Sequence, residues 1–201
     1  MGAVRILYRG PGGKIVLPGL RSALLDRRDG GHLIVEPQVD VWERSELSSQ
    51  QLIQWSCLVA ATGQAMLQAL PQLEGGCINY WEAGNWSLND ASEPRGFKDP
   101  RKFRRVHLHL LGRTPRAADP DWTWGEAPRF PSFADRERWT AGHAVLEPAE
   151  CTAIVRRAEA ILGSRYHVAQ SAGGAASATC PVCQYPIPQD LHGAHRDCSE
   201  P

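Results

Sequence analysis

The chain has 201 residues and carries 22 Lys and Arg against 22 Asp and Glu, so its formal net charge is zero. That length suits one domain with a full core and a small appendage, and it excludes two ordinary domains. The balanced charge excludes a global pull toward nucleic acid or an anionic membrane, so any such role has to rest on a local patch.

The first part of the chain carries short apolar pieces, VRILY, KIVL, ALLD and HLIVEP, parted by GPGG, PG and RRDGG. Gly and Pro at those breaks are turn chemistry, and the pattern predicts an antiparallel meander. The opening MGAVRILYRGPGGK is interrupted before an apolar run of signal-peptide length forms, and no later run could span a bilayer. The expectation is a cytoplasmic protein with no membrane partner.

Ser48 followed by Gln51 predicts a capping box, and Leu52, Trp55, Val59, Thr62, Met66 and Leu70 repeat at helical spacing up to Pro71. A long amphipathic helix over 48–70 follows. CINYW at 77–81 and VHLHLL at 106–111 read as strands expected to pair, with a polar insert from Trp86 to Phe103 between them. The aromatics of DWTWGEAPRF predict irregular structure packed across the domain, and Glu147-Pro148 opens a second helix bearing Cys151, Ile154, Val155, Ala158 and Ile161.

Side chains two apart in a strand share a face, so His107 and His109 present two imidazoles together while Val106, Leu108 and Leu110 fill the opposite face. Such a pair suits metal ligation or phosphoryl chemistry, in which one imidazole attacks phosphorus and its neighbour steadies the oxygens. The alternative is a polar face on an edge strand. Five basic residues, Lys98, Arg101, Lys102, Arg104 and Arg105, lead into this strand. They read either as a solvated loop or as a flap gripping a polyphosphate or nucleic-acid backbone.

The six cysteines are not spaced as a disulfide framework, which favours a reducing compartment. After the linker-like SAGGAASAT, the tail CPVCQYPIPQDLHGAHRDC has the spacing of a closed tetrahedral zinc site. Its expected ligands are Cys180, Cys183, His195 and Cys198, with His192 competing with His195 as the fourth. An unmetallated tail or a Cys180 to Cys183 disulfide is the alternative.

The segment RRVHLHLLGR resembles the signature of the histidine-triad (HIT) superfamily of nucleotide hydrolases and transferases, with Arg105 standing where the first histidine would be. INYWEAGN resembles the family's Asn-bearing strand and Gly-Asn turn, and ALLDRRDGGHLIVEP its Asp-bearing segment and following strand. The likeness runs from Leu24 to Arg113, and the ordered combination is more specific than any one motif. It implies an α+β fold, a HIT-like antiparallel sheet with the long helix packed on it, plus the small zinc knuckle-helix module.

By the same resemblance, His107 attacks an α-phosphate to form a nucleotidyl-histidine, and His109 binds phosphate oxygens and assists the leaving group. Asn79, Asn85 and Asp26 would contact phosphate or ribose and Arg105 the phosphoryl oxygens; apart from the resemblance, the basic run adds Lys98 and Arg104 as expected substrate contacts. Arg113 is as readily a structural salt bridge. Catalysis would need no cofactor, and the family's usual homodimer is the implied assembly.

The expected organisation is a catalytic domain at 1–142, a helical extension at 143–170, a linker at 171–179 and the zinc module at 180–201. Diadenosine polyphosphates or nucleoside phosphoramidates are the expected substrates. Aprataxin-like removal of AMP from adenylated nucleic-acid ends is the alternative, less favoured by the neutral charge. A non-catalytic nucleotide-binding or zinc-dependent interaction protein is a third reading. A metalloenzyme that adds Glu82, Asp90 or His143 to the histidine pair is a fourth.

Overall fold

The computed structural model describes residues 4–82 and 85–168. The expected zinc ligands Cys180, Cys183, His195 and Cys198, the competing His192 and the linker at 171–179 lie outside those residues.

The protein is an α+β structure whose five-stranded antiparallel sheet has helices packed on it. Strands β1 (Arg5–Gly10), β2 (Gly13–Leu17) and β3 (His32–Glu36) form a meander. Strands β4 (Cys77–Trp81) and β5 (Leu108–Arg113) complete a sheet of order β1-β2-β3-β5-β4. The expected pairing of β4 with β5 is present, Trp81 lying opposite His109.

The ALLD segment departs from the meander expected of it. Asp26 caps a 3-10 turn at Arg27–Asp29 by accepting from the Arg28 N–H, and Leu24 and Leu25 are buried without joining a ladder. Gly30 then adopts φ 136°, and a Cβ there would stand 2.3 Å from the Gly112 carbonyl oxygen. Glycine alone permits that approach, which brings the start of β3 against the end of β5.

Helix α1 (Ser49–Ala69) begins at the expected capping box, in which Gln51 N–H donates to Ser48 Oγ at 3.3 Å and Ser48 N–H to Gln51 Oε1 at 2.9 Å. Trp55, Leu58, Thr62, Ala65 and Met66 recur at spacings of three and four and are buried, and Trp55 Nε1 donates to the Val35 carbonyl. Leu52, expected in that stripe, is 38% exposed because the buried face starts one turn later.

The short helices α2 (Pro100–Phe103) and α3 (Arg136–Thr140) lie in the connections. Helix α4 (Pro148–Arg165), opened by proline and a Glu147–Glu150 capping box, packs against α1. Cys151, Ile154, Ala158, Ile161 and Leu162 bring it into the main core.

Alternation divides the sheet between two layers. Leu33, Val35, Leu108, Leu110 and Ile78 face α1 and α4 in the main core, whereas Leu111 faces a second cluster with Leu24, Leu25 and Trp122. That second cluster is the expected packing of the Trp-rich segment across the domain, although its Trp124 is 44% exposed. Among the described residues no helix is long and apolar enough to cross a membrane.

Candidate active site

His109 shares the second face with Trp81 and His32. The register places His32 opposite Leu111 and Ile34 opposite His109, so His32 and His109 are diagonal neighbours on one side of adjacent strands. His107 precedes β5, and the structure confirms that Val106, Leu108 and Leu110 are buried on the opposite side.

The three imidazoles form one hydrogen-bonded row. His32 Nε2 is 2.9 Å from His109 Nδ1, and His109 Nε2 is 3.0 Å from His107 Nε2. Backbone groups close both ends. The Leu24 N–H donates to His32 Nδ1 at 3.1 Å, and His107 Nδ1 lies 2.8 Å from the Arg105 carbonyl oxygen.

Burial pushes the pKa of His32 well below the ordinary imidazole value, helped by repulsion from His107 and His143. Burial does the same to His109, helped by repulsion from His32 and His107. Both rings are therefore neutral at neutral pH, and each carries one N–H and one lone pair.

The backbone ends decide which nitrogen holds each proton. Because the Leu24 amide can only donate, His32 Nδ1 accepts and His32 is the Nε2–H tautomer. Its Nε2–H donates to His109 Nδ1, which puts the His109 proton on Nε2, aimed at His107 Nε2. At the far end the Arg105 carbonyl can only accept, so His107 Nδ1 carries a proton and Nε2 is left with its lone pair.

His107 and His109 open onto a pocket of about 440 Å³. Its wall includes the aromatics Trp81, Trp86, Phe103, Phe130 and Phe133 and the basic residues Arg21, Arg105 and Arg136. No carboxylate is among its described lining residues. Trp81 stacks on Phe130 with ring centroids 4.0 Å apart, and the Arg136 guanidinium lies 3.7 Å from the Phe133 ring centroid. The 3-10 turn Leu20–Ser22 packs against α3, so Arg21 and Arg136 come from contacting elements outside the segment that carries the family resemblance.

No family model matches the chain, and no curated protein matches it.

Of the residues picked from the sequence, the structure brings His107, His109 and Arg105 together at the pocket. Arg105 is exposed, and its guanidinium donates to the carbonyls of Arg101 and Arg104. Asn79 lies on the same sheet face but lines a separate hollow with Pro128 and Phe130. Asn85 opens the 3-10 turn Asn85–Leu88, and its side chain is outside the described parts.

Asp26, Lys98 and Arg104 are not among the residues lining the pocket. The Asp26 carboxylate accepts from Arg28 and from the Ala144 N–H at 2.8 Å, which ties residue 144 to the turn before β3. Burial alone would raise its pKa, but those hydrogen bonds and the Arg28 charge hold it down at about 2. Lys98 is buried and donates to the Asn89 carbonyl at 2.7 Å and to that of Gly96 at 3.2 Å, organising its own loop.

Arg104 pairs with Glu43 and Glu82 and donates to the Trp42 carbonyl, so it ties the segment before β5 to the chain that follows β3 and β4. Arg113, weighed as a salt bridge, instead donates to the carbonyls of Trp122, Thr123 and Glu126.

Among the described residues no group of three or more His, Cys, Asp or Glu side chains is arranged to hold a metal ion. Arg21 and Arg136 were not foreseen from the sequence as site residues, and nor was His32. Its one signal was an imidazole opening an otherwise apolar strand, a position that demands a buried partner.

Proposed function

We propose that the protein is a HIT-type nucleotide hydrolase or nucleotidyl transferase in which His107 Nε2 is the nucleophile. One observation carries the reading. The hydrogen-bonded row leaves the His107 Nε2 lone pair and the His109 Nε2–H side by side in a pocket walled by arginines and aromatic rings. A lone pair beside a donor is what attack on phosphorus requires, because negative charge builds on the phosphoryl oxygens as the new bond forms.

In the proposed reaction a phosphoryl oxygen takes over the His109 Nε2–H, which frees the His107 lone pair. The Nε2–P bond forms as the bond from the α-phosphorus to the leaving group breaks, and the leaving group departs with the bonding electrons. The imidazole becomes positively charged, and the Nδ1–H to Arg105 carbonyl bond stabilises that charge. Water or another acceptor then attacks phosphorus and loses its proton to solvent, the Nε2–P bond breaks with its electron pair returning to nitrogen, and neutral His107 is restored. Hydrolysis releases a nucleoside monophosphate.

The pocket wall favours one of the two expected substrate classes. Because His32 and His109 are neutral, the phosphate charge would be met by Arg21, Arg105 and Arg136, the last of which also pairs with Glu137 at 3.6 Å. Three guanidiniums exceed what a single α-phosphate bearing a neutral amine needs, and they match a polyphosphate leaving group. The aromatic side of the pocket suits a nucleobase. An adenylated nucleic-acid end is less well served, since Lys98 and Arg104 of the basic run are engaged inside the fold.

The test is turnover of labelled diadenosine polyphosphate, adenosine phosphoramidate and adenylated DNA, in chelator, by wild type and His107→Ala. Wild-type release of AMP that His107→Ala lowers by more than about a thousandfold supports the proposal. Equal rates in the two proteins, or no turnover of any substrate, contradict it. The HIT likeness and the zinc module remain part of this proposal, the second tested by metal content in Cys180→Ser and Cys198→Ser.

A further inference from the structure

The peptide group joining Ala23 to Leu24 has a side-chain partner on each side. Its N–H donates to His32 Nδ1, and its carbonyl oxygen lies 2.7 Å from His143 Nδ1. A carbonyl oxygen can only accept, so His143 Nδ1 carries a proton. His143 therefore continues the row through a peptide plane, from His143 to the Ala23 carbonyl, from the Leu24 amide to His32, then to His109 and His107.

Such a row has two possible polarities, and only one is productive. With every proton reversed, His32 would present Nδ1–H to the Leu24 N–H, and His109 would turn its Nε2 lone pair toward His107. His107 would then carry its proton on Nε2 and have nothing to attack with. What selects the productive polarity at the buried end is the orientation of the 23–24 peptide. That peptide lies in a bend and belongs to no ladder of the sheet.

We propose that His143 is a positioning residue for His107, holding the 23–24 peptide so that the row keeps the polarity that leaves His107 Nε2 unprotonated. His143 is itself held. Its Nε2 faces the Asp119 carboxylate at 3.9 Å, and its ring meets Trp139 edge-on with centroids 4.7 Å apart. The next residue is fixed from both sides, Ala144 N–H donating to Asp26 and Ala144 carbonyl accepting from the Arg27 N–H at 2.8 Å. A carbonyl that accepts a hydrogen bond also makes its own N–H a stronger donor, so His143 tightens the bond to His32 as well as aiming it. This inference rests on His107 being the nucleophile.

Nitrogen-15 NMR of the histidine rings tests it on the intact protein and needs no substrate. In wild type, His32 and His109 are expected with protons on Nε2 and His143 with its proton on Nδ1; a His32 protonated on Nδ1 overturns the proposal without any variant. His143→Phe removes the donor and is expected to give mixed tautomers at His32. For a turned-over substrate it should lower kcat about tenfold with KM within about twofold. His143→Asn, whose amide can occupy the Nδ1 position, is expected to restore both.

A folded His143→Phe protein with wild-type tautomers overturns the proposal, as does a kcat loss that His143→Asn fails to recover. Failure of the nucleophile reading is distinguishable, because it shows as unimpaired turnover by His107→Ala while the tautomers stay as described.

Discussion

His32 Nε2 lies 2.9 Å from His109 Nδ1, and both rings are almost sealed from water. A buried imidazole without a partner would leave its polar nitrogens unsatisfied, so each ring needs the other. The contact joins β3 to β5 at the level of the pocket.

Replacing His32 with Phe tests that dependence. The change removes the donor to His109 and the acceptor for the Leu24 N–H, leaving buried groups unpaired at a cost of about 1 to 3 kcal/mol each. Chemical denaturation should show a folded but destabilised protein. Its kcat should fall more than its KM rises, because His109 loses the partner that sets its tautomer.

Acid should destabilise the fold through the same two rings. Their folded pKa values lie below the ordinary 6.5, so below that pH the unfolded chain binds protons that the folded protein refuses. Stability therefore falls as pH drops from about 6.5 toward the folded values, by about 1.4 kcal/mol per pH unit for each ring. Asp26 acts in a lower window. With its folded value at about 2 against 3.8, its contribution is present above about pH 4 and is lost as pH falls toward 2. Denaturation midpoints from pH 7 to pH 5 check the histidine part, and His32→Phe should flatten that slope.

Arg21→Gln and Arg136→Gln separate the substrate classes. A guanidinium lost from a phosphate contact costs about 1.5 to 3 kcal/mol, or roughly ten- to hundredfold in kcat/KM. That loss is expected with diadenosine polyphosphate and not with adenosine phosphoramidate. Equal losses on both substrates would remove the case for a polyphosphate leaving group.

Arg104→Met should behave as a stability variant. It breaks the contacts to Glu43, Glu82 and the Trp42 carbonyl, which are partly buried, and should cost about 1 to 3 kcal/mol. Since Arg104 does not line the pocket, kcat/KM measured well below the melting temperature should stay within about twofold of wild type.

Local signals in the sequence carried much of this structure. The Ser48–Gln51 box and the periodic apolar positions mark α1, and the alternation around His107 and His109 places both on one face, because each depends on neighbours a few residues apart. His32 was illegible as a site residue because its partner lies 77 positions away, and only the β3–β5 register joins them. Arg21 and Arg136 come from a 3-10 turn and a five-residue helix, elements too short to have a period. Lys98 and Arg104 read as part of a solvated loop or a gripping flap because a run of like charges does not show which members fold inward onto carbonyls and carboxylates.

The most direct measurement is a quenched reaction of the wild-type protein with labelled diadenosine polyphosphate, followed by peptide mapping of the trapped label. AMP bonded to His107 is the expected result, absent from His107→Ala. Steady release of AMP by wild type and His107→Ala at the same rate, with no label on His107, would contradict the assignment of the nucleophile.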